Sequence, residues 1–321
     1  MPSLSPLSYS ELKSAAVRLG FTACGVAPVA PVDKAVGETF HQWLLRGGEA
    51  GMNYLKNHVD KRLDPGLLVE GAKSIISVAL NYYPSKRLNP DNQYEFAWYA
   101  YGHDYHEVMK SRLTLLAETL QEHSDGETLH YRVFCDTAPV LERYWAWRCG
   151  LGWIGKNTQL IIPRAGSAFF LGEIILDRTF SAYDMPVKNR CGSCRRCIEA
   201  CPTRALETPY RLDAARCLSY LTIEFRGETL PSEAARAMGN CIYGCDRCQQ
   251  VCPWNRFSKP TEIEEFVPKE EFMNLSREKL RQLSLDEYRT IFRGSAVKRA
   301  KYEGLMRNLK AIEEQNKEED A

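Results

Sequence analysis

The chain has 321 residues, of which 44% are hydrophobic, and 42 Lys and Arg balance 41 Asp and Glu. This length accommodates one large or two modest domains with a buried core. The balanced charge excludes binding of nucleic acid by bulk electrostatics, although a local basic face remains compatible with it. The N-terminus has no basic segment followed by an apolar stretch, and no apolar run is as long as a membrane span. With 12 cysteines, these features predict a protein of the reducing cytoplasm that does not enter a membrane.

Residues 1–180 alternate predicted helices with predicted strands, which is typical of an α/β or α+β layer. Apolar residues recur at helical spacing at 9–19, 36–57, 103–123 and 139–149, the second of these being interrupted by Gly47 and Gly48. Strand-like segments occur at 74–80, 131–134, 158–162 and 168–176. We predict that the last two strands pair with each other around the turn at 163–166.

From residue 181 the composition changes, and cysteines punctuate the chain as far as residue 260. Short helices are predicted in this part at 212–224 and 232–238, and longer helical stretches follow at 270–292 and 295–314. We therefore predict three domains, at residues 1–180, 181–265 and 266–321.

Eight cysteines lie in two short runs. The first run is Cys191-x2-Cys194-x2-Cys197-x3-Cys201-Pro202, and the second, which begins at Cys241, ends Cys245-x2-Cys248-x3-Cys252-Pro253. Bacterial ferredoxins hold 4Fe–4S cubes with the first spacing, and the second run has its last three cysteines. Two intervening residues let successive thiolates reach adjacent corners of one cube, while the cysteine before proline reaches the other cube in two-cluster proteins.

Two other uses of clustered cysteines fit this pattern less well. Zinc modules usually separate two Cys-x2-Cys pairs by a long loop that closes a tetrahedron. Disulfides require an oxidising compartment, for which the N-terminus gives no signal. The pattern therefore predicts an iron–sulfur protein that transfers low-potential electrons one at a time.

A glycine-rich stretch, Gly150-Leu-Gly152-Trp-Ile-Gly155, matches the dinucleotide-binding motif literally. That motif requires a strand before the glycines and a helix after them, and here the preceding segment is a predicted helix. We therefore expect no nucleotide site. Because glycine lacks a Cβ atom, we expect instead that this backbone approaches another cofactor.

Asp136 follows the predicted strand 131–134 and precedes a predicted helix. The residue can cap that helix, or it can be a carboxyl acid at a strand end, where α/β folds commonly place chemistry; the spacing does not decide between them. His103 and His106 are spaced to share one helix face, as in a metal site, but capping of the helix by Asp104 is the simpler interpretation.

Each cube carries one electron, so the other 180 residues are expected to hold an acceptor that performs a two-electron reduction. Flavin, cobalamin and a radical mechanism are the candidates. The spacing Cys241-x3-Cys245-x2-Cys248 occurs in radical enzymes, but here it is embedded in the ferredoxin pattern.

Several motifs together resemble one family. They are Met52-Asn-Tyr-Leu55, Gly71-Ala-Lys-Ser74, Tyr101-Gly-His-Asp-Tyr-His106, Asp136-Thr-Ala-Pro-Val-Leu-Glu-Arg143, Gly152-Trp-Ile-Gly-Lys-Asn157, Arg216-Cys-Leu-Ser-Tyr-Leu-Thr-Ile-Glu224, and Gly244-Cys-Asp-Arg-Cys248 through Cys252-Pro-Trp-Asn255. With these motifs the chain resembles the epoxyqueuosine reductases, which use cobalamin and iron–sulfur clusters to complete queuosine in transfer RNA. The resemblance extends to about residue 309.

The resemblance implies an α+β protein in three parts: an N-terminal mixed α/β cobalamin-binding domain, a ferredoxin-like domain with two 4Fe–4S clusters, and a short helical C-terminal segment. It assigns the first cube to Cys191, Cys194, Cys197 and Cys252, and the second to Cys201, Cys217, Cys245 and Cys248. Regular spacing would place a cysteine at position 242, which is Ile242. Cys217 takes that place in the implied ligand set, and Cys241 is left over.

The resemblance also implies the remaining site residues. Cobalamin contacts are expected at Arg62, Asp136, Lys156, Asn157, Ser219 and Asp246. Reduced cobalamin would act on the epoxide, and Asp136 would donate the proton to the leaving oxygen. That role requires a carboxyl that a desolvated pocket keeps protonated near neutral pH.

The implied partners are a transfer RNA carrying epoxyqueuosine and an external low-potential electron donor, and we expect a monomer. Candidate contacts to RNA phosphates are Lys188, Arg190, Arg195, Arg196, Lys298, Arg299 and Lys301. Two other functions remain open at this point: a corrinoid reductive dehalogenase of a small molecule, and an electron-transfer subunit without catalysis. Longer members of the family continue into α-helical repeats, so this sequence is either a short form or a trimmed one.

Overall fold

The computed structural model describes residues 5–319. The α-helices are α1 (Tyr9–Arg18), α2 (Lys34–Leu45), α3 (Val59–Leu63), α4 (Tyr105–Glu122), α5 (Glu142–Arg148), α6 (Arg196–Glu199), α7 (Leu218–Ile223), α8 (Ser232–Met238), α9 (Arg247–Gln250), α10 (Glu270–Met273), α11 (Arg277–Arg281), α12 (Leu285–Ile291) and α13 (Lys301–Glu319). The strands are β1 (Ala23–Pro28), β2 (Ser74–Asn81), β3 (Glu95–Phe96), β4 (Tyr131–Phe134), β5 (Trp153–Ile154), β6 (Leu160–Ile161), β7 (Phe169–Leu176) and β8 (Cys241–Tyr243).

A four-stranded sheet forms the centre of the N-terminal part, with the strand order β1-β2-β7-β4. Every neighbouring pair in it is antiparallel. Both central strands are buried over almost their whole length. Because antiparallel strands carry the sheet and helices cover it, the architecture is α+β.

The two faces of the sheet contact different helices. Ile76, Val78 and Ile174 belong to the larger apolar core, which contains the buried face of α4. Ile75 and Ile175 belong to a second core, which contains Trp145 and Ala146 of α5. This division follows from the alternation of side chains along a strand, which sends consecutive residues to opposite faces. Helices therefore cover the sheet on both sides.

The predicted pairing of 158–162 with 168–176 is wrong. β6 pairs with β5, and β7 pairs with β2 and β4. Between the two predicted strands the structure has one isolated bridge, Ile162 to Gly166. The apolar residues of β7 are buried on both faces, so the strand lies in the middle of the sheet and not in a local hairpin.

Several predicted helices have different bounds. The helix predicted at 36–57 ends at Leu45, because Gly47 adopts a positive φ of 69° and the chain continues in turns. The helix predicted at 139–149 begins only at Glu142. The stretch 270–292 is divided among α10, α11 and α12. Strands 74–80 and 131–134 and helices 9–19 and 232–238 agree with the prediction to within one residue.

The cysteine-rich part packs directly on its neighbours. β8 pairs in parallel with β3 of the N-terminal part. Asn308 of α13 is fully buried and donates to the carbonyl oxygens of Thr222 and Ile242. The larger core is continuous from Leu7 to Ile312 and includes residues of all three predicted domains. Among residues 5–319, no helix is long and apolar enough to cross a membrane.

Candidate functional site

Eight thiols converge in two groups. After burial itself, the thiols whose charges raise the pKa of Cys197 are those of Cys252, Cys191 and Cys194. The pKa of Cys248 is likewise raised by the thiols of Cys245, Cys217 and Cys201. We call these the first and second thiol groups.

Short helical turns hold both groups. Cys197 lies in α6 and Cys248 lies in α9, and the amide of Cys194 donates to the carbonyl oxygen of Cys191 over 3.2 Å. Cys252 lies two residues after the end of α9. It belongs to the second run in the sequence, but its thiol belongs to the first thiol group. Four thiols of like charge near one another are suited to a cationic iron–sulfur cube.

Cys241 lies in β8 beside the second thiol group. Its sulfur is buried and donates to the carbonyl oxygen of Gly244 over 2.6 Å. Among the thiols, only Cys245 appears among the causes that shift its pKa. Its side chain is therefore engaged with the backbone and with the thiol of Cys245. The pKa of Cys217, in contrast, is raised first by burial and then also by Cys245 and Cys201.

The glycines of the 150–157 stretch have a packing role. A Cβ atom on Gly152 would lie 2.2 Å from the carbonyl oxygen of Ile161, and one on Gly155 would lie 2.6 Å from the side chain of the same residue. These glycines therefore allow β5 and β6 to approach each other. The stretch follows α5 and leads into a strand, which is the reverse of the order that a dinucleotide site requires.

The end of this stretch links the sheet to both thiol groups. The ammonium of Lys156 donates to the carbonyl oxygens of Gly192 and Cys194 over 2.6 and 2.9 Å. The amide of Asn157 is buried and donates to the carbonyl oxygen of Cys248 over 3.4 Å. Two of the three donors of Lys156 are therefore engaged at the first thiol group.

Ser219 and Asp246 both lie beside the second thiol group. Ser219 is the second residue of α7, two positions after Cys217. Asp246 is buried, and its carboxylate accepts the backbone N–H of Trp98 over 2.6 Å. This hydrogen bond ties the second cysteine run to the segment after β3.

Asp136 lies after β4 in the left-handed region, with φ of 56°. It is not the cap of α5, because the residue before that helix is Leu141. Its carboxylate is instead 3.1 Å from Nε2 of His106, and Nδ1 of His106 is 2.7 Å from the carboxylate of Asp104. Asp104 also accepts the amide of His106 over 3.1 Å and caps α4, as predicted. One imidazole thus joins two carboxylates.

These carboxylates keep the imidazole charged. The hydrogen bond to Asp104, followed by the one to Asp136, raises the pKa of His106 to about 9. Burial alone would raise the pKa of Asp136, but the hydrogen bond and charge of His106 outweigh it, and the net pKa lies below the usual value. The expectation that desolvation keeps Asp136 protonated is therefore wrong for this structure, because a neighbouring cation overrides burial.

In two other carboxyls, burial does raise the pKa, as was expected for Asp136. The pKa of Glu142 is raised, first by burial and then by the charge of Asp136, whose backbone N–H donates to it. Glu173 is fully buried, accepts from the hydroxyl of Ser77 over 3.2 Å, and has one oxygen without a partner among the described residues. Burial and then Glu142 raise its pKa. Burial therefore favours the neutral form of both carboxyls.

Three arginines border the Asp136 site. Arg62 is only 7% exposed, and its Nε has no hydrogen-bond partner within the described chain. Arg143 donates to the carbonyl oxygen of Thr158 over 2.7 Å. Arg299 pairs with Glu224 over 2.7 Å and lies 5.9 Å from the ring of Tyr54, and its charge contributes to the low pKa of Asp136.

Sequence reasoning missed two partners of Asp136. His106 was weighed only with His103 as a metal ligand, and no group of metal-binding geometry for a single ion occurs within residues 5–319. Glu142 belongs to the motif at 136–143, but the sequence assigned it no role. A possible signal is that an acid six residues after Asp136 begins the next helix, where it can turn back toward the strand end.

The two thiol groups match a known kind of domain. Residues 190–255 fit the family described as a 4Fe-4S double cluster binding domain. Together with the α+β layer and its group of titratable side chains, this domain defines an iron–sulfur oxidoreductase. Residues 62–137 fit the family described as Epoxyqueuosine reductase QueG, DUF1730.

The chain belongs to the epoxyqueuosine reductase family. It is 44% identical to the epoxyqueuosine reductase of Cellulophaga algicola over 302 residues, covering 94% of this chain and 97% of that relative. It is 38% identical to the Escherichia coli enzyme over 315 residues, covering 95% of this chain and 81% of the relative. The resemblance seen in the sequence is therefore confirmed.

Solved structures of the same family have the same fold. A crystal structure of epoxyqueuosine reductase with an epoxyqueuosine-modified tRNA-Tyr stem loop matches with a TM-score of 0.85 and 30% identity, covering 94% of this chain and 80% of that one. A Bacillus subtilis epoxyqueuosine reductase, described with an aspartate-bearing catalytic loop swung out of the active site, matches with the same score, identity and coverage.

Proposed function

We propose that this chain reduces epoxyqueuosine to queuosine in transfer RNA, with two 4Fe–4S clusters and cobalamin. The observation that carries the proposal is the likeness, over 94% of the chain, to an epoxyqueuosine reductase bound to a modified tRNA stem loop. In the reaction both carbon–oxygen bonds of the epoxide break, a carbon–carbon double bond forms, and the oxygen leaves as water. This change consumes two electrons and two protons.

The two thiol groups are the proposed cluster ligands. The first cube is bound by Cys191, Cys194, Cys197 and Cys252, and the second by Cys201, Cys217, Cys245 and Cys248. Their convergence in two groups of four supports this assignment. The second cube is the one proposed to lie nearer to the cobalamin, because Ser219 and Asp246, two of the expected cobalamin contacts, lie beside the second thiol group.

The residues around Asp136 and the second thiol group fit a cobalamin. Its rim carries amides and a phosphate, and the buried Nε of Arg62, which lacks a protein partner among the described residues, suits such a group. Asn157, Ser219 and Asp246 bring further polar atoms to the side of the second thiol group. Bound cobalamin would supply a strong low-potential reductant and nucleophile for the epoxide carbon. For Lys156, the proposed contact with cobalamin uses only the one N–H donor of its ammonium that is not engaged at the first thiol group.

Asp136 is the proposed proton donor to the substrate, and His106 supplies the proton to Asp136. At neutral pH the shared proton resides on Nε2 of His106, hydrogen-bonded to the carboxylate. Substrate binding removes water from the site and weakens the preference of Asp136 for its charged form. The proton then moves to Asp136 and on to the alkoxide oxygen. Glu142 holds a further proton next to Asp136, which matches the second proton that the reaction consumes.

The RNA is proposed to meet the basic stretch beside this site. Arg299 acts on the pKa of Asp136, and Lys298 acts on the pKa of Asp104. Phosphate contacts there, together with extrusion of the modified base, bring the epoxide to Asp136. A small-molecule dehalogenase and a purely electron-transferring subunit both lack support from the relatives, which are named epoxyqueuosine reductases.

The test is reconstitution with iron, sulfide and cobalamin, followed by reaction with a stem loop bearing epoxyqueuosine and a reduced viologen as electron source. Queuosine should form only when cobalamin is present. Cluster reduction without product would assign the chain to electron transfer alone, and equal product without cobalamin would exclude the proposed cofactor.

A further inference from the structure

A recess of about 610 Å³ lies beside the first thiol group, and Asp136 is not among the residues that line it. It is lined by residues of the segment after β2, of α6 and of the end of the second cysteine run. The side chains that matter here are Tyr83, Arg87, Trp98, Arg196, Cys252 and Arg256. One of them, Cys252, belongs to the first thiol group.

The recess is strongly basic. Arg87, Arg196 and Arg256 are exposed, and none forms a salt bridge within the described part of the chain. Glu199 is the one carboxylate in the lining. Three unpaired guanidinium groups around a concave surface create a positive potential that attracts an acidic partner.

Aromatic side chains hold two of these arginines in place. The guanidinium of Arg87 lies 4.4 Å from the ring centroid of Trp98 and also donates to the hydroxyl of Tyr83. The guanidinium of Arg256 lies 4.5 Å from the ring of Phe257. Stacking fixes the direction of each charge and leaves most of the N–H donors available, an arrangement that favours carboxylates of a partner.

We propose that this recess is the docking surface for a small, acidic, one-electron carrier protein, and the inference rests on the proposed function. Electron transfer weakens steeply with distance, so a donor must approach a cluster ligand, and Cys252 lines the recess. At each encounter the reduced carrier loses one electron and the first cube gains one, so two encounters supply one turnover. Small interfaces of this charged kind are typical of transient redox partners.

A protein carrier fits the recess better than RNA does. The substrate base must reach Asp136, whereas the recess is lined by Cys252 of the first thiol group and not by Asp136. Tyr83 and Pro253, which are partly exposed, add apolar surface to the lining, as in the centre of a protein interface. Arg196, which the sequence suggested as an RNA contact, is thereby reassigned to the electron donor.

The test uses the reconstituted holoenzyme and a reduced plant-type [2Fe–2S] ferredoxin as the probe. Stopped-flow absorbance at low ionic strength gives the second-order rate of ferredoxin oxidation, and titration gives its affinity. Arg256→Glu and Arg87→Glu should each lower that rate about tenfold, because steering by complementary charge is lost. Arg87→Lys should retain most of the rate.

Two controls separate docking from damage. Arg18→Glu makes the same charge change at an exposed arginine of α1, outside the recess, and should change the rate less than about twofold. Dithionite should reduce the clusters of every variant at the wild-type rate, since a small reductant does not need the recess. Iron content should be equal in all of them.

The contrary results are also specific. Unchanged ferredoxin rates in both recess variants, or a wild-type enzyme that ferredoxin neither binds nor reduces, would overturn the proposal. Weaker binding of the RNA stem loop by the variants, with normal ferredoxin rates, would assign the recess to RNA. Failure of the proposed function is distinct, because queuosine would then be missing even when a reduced viologen supplies the electrons.

Discussion

The thiol groups and the Asp136 site are organised in opposite ways. The thiol groups bring like charges together, and neighbouring thiols raise the pKa of Cys197 in the first group and of Cys248 in the second. At the Asp136 site, positive and negative groups alternate from Asp104 through His106 to Asp136, and each is hydrogen-bonded to the next. The first arrangement needs a bound cation to be stable, whereas the second is complete in the protein alone.

This difference separates the consequences of mutation. A change in a thiol group should remove a cofactor, and with it the structure that the cofactor supports. A change at Asp136 or His106 should leave cofactors in place and alter only the proton transfer. The predictions below test that separation, beginning with the largest effect.

Cys217→Ser should abolish turnover and remove about half of the iron, because the second cube loses one of four ligands. Cys241→Ser is the matched control, since that sulfur donates to a backbone carbonyl. It should keep the full iron content and near wild-type activity. Iron analysis and cluster absorbance decide the outcome, and a loss of iron in Cys241→Ser would reverse the ligand assignment.

Asp136→Asn should lower turnover roughly 100- to 10,000-fold, because an amide cannot donate the proton at the required acidity. Cobalamin absorbance and iron content should be unchanged. Asp125→Asn is a suitable control, since Asp125 has nearly the same backbone conformation, with φ of 54° against 56°. Turnover of Asp136→Asn within about twofold of the wild type would show that the carboxylate is structural.

His106→Gln should reduce turnover on the order of tenfold to hundredfold and change its pH dependence. In the wild type, activity should fall as the pH rises through about 9, where His106 loses its proton. The variant should lack that limb. A wild-type profile that is flat across this range would contradict the proposed supply of the proton by His106.

The same imidazole links stability to pH. The pKa of His106 is raised from 6.5 to about 9, so its stabilising effect is complete below the lower value and is lost as the pH rises through the higher one. The pKa values of Asp104 and Asp136 are lowered, so their contribution is lost in acid. Thermal unfolding of wild type and His106→Gln should therefore converge above pH 9.

The smallest effect is expected for a substitution that changes RNA binding. Lys298→Gln should weaken stem-loop binding a few-fold and reduce the salt dependence of the binding constant by about 1 in logarithmic slope. Turnover with saturating RNA should not change. Lys279→Gln, at an exposed lysine of α11, is the control. Equal slopes for Lys298→Gln and the wild type would remove Lys298 from the RNA contacts.

The sequence predicted the cysteine region well and the Asp136 site only in part. Seven of the eight proposed cluster ligands lie in two local runs, so their spacing carries the geometry of a cube. Cys217 stands alone, and only the resemblance to a family assigned it. The partners of Asp136 come from α4, α5 and the turn just before α13, and no local pattern records that these elements meet.

The errors in the fold have a related cause. A short apolar segment such as 168–176 shows that a strand is buried, but it does not show which strand lies beside it. The pairing of β7 with β2 and β4 is decided by burial on both faces, over distances of more than 30 residues along the chain. The role of desolvation at Asp136 was misjudged because the cation that opposes it, His106, is brought near only by folding.

A single-turnover experiment tests the central claim most directly. Enzyme reconstituted with clusters and cobalamin is reduced, freed of reductant and mixed without oxygen with a stem loop bearing epoxyqueuosine. The account predicts at least one queuosine per enzyme, since the two clusters together hold the two electrons that one epoxide consumes and reduced cobalamin holds more. The clusters should be reoxidised as product forms. Clusters that stay reduced while no queuosine forms would contradict it.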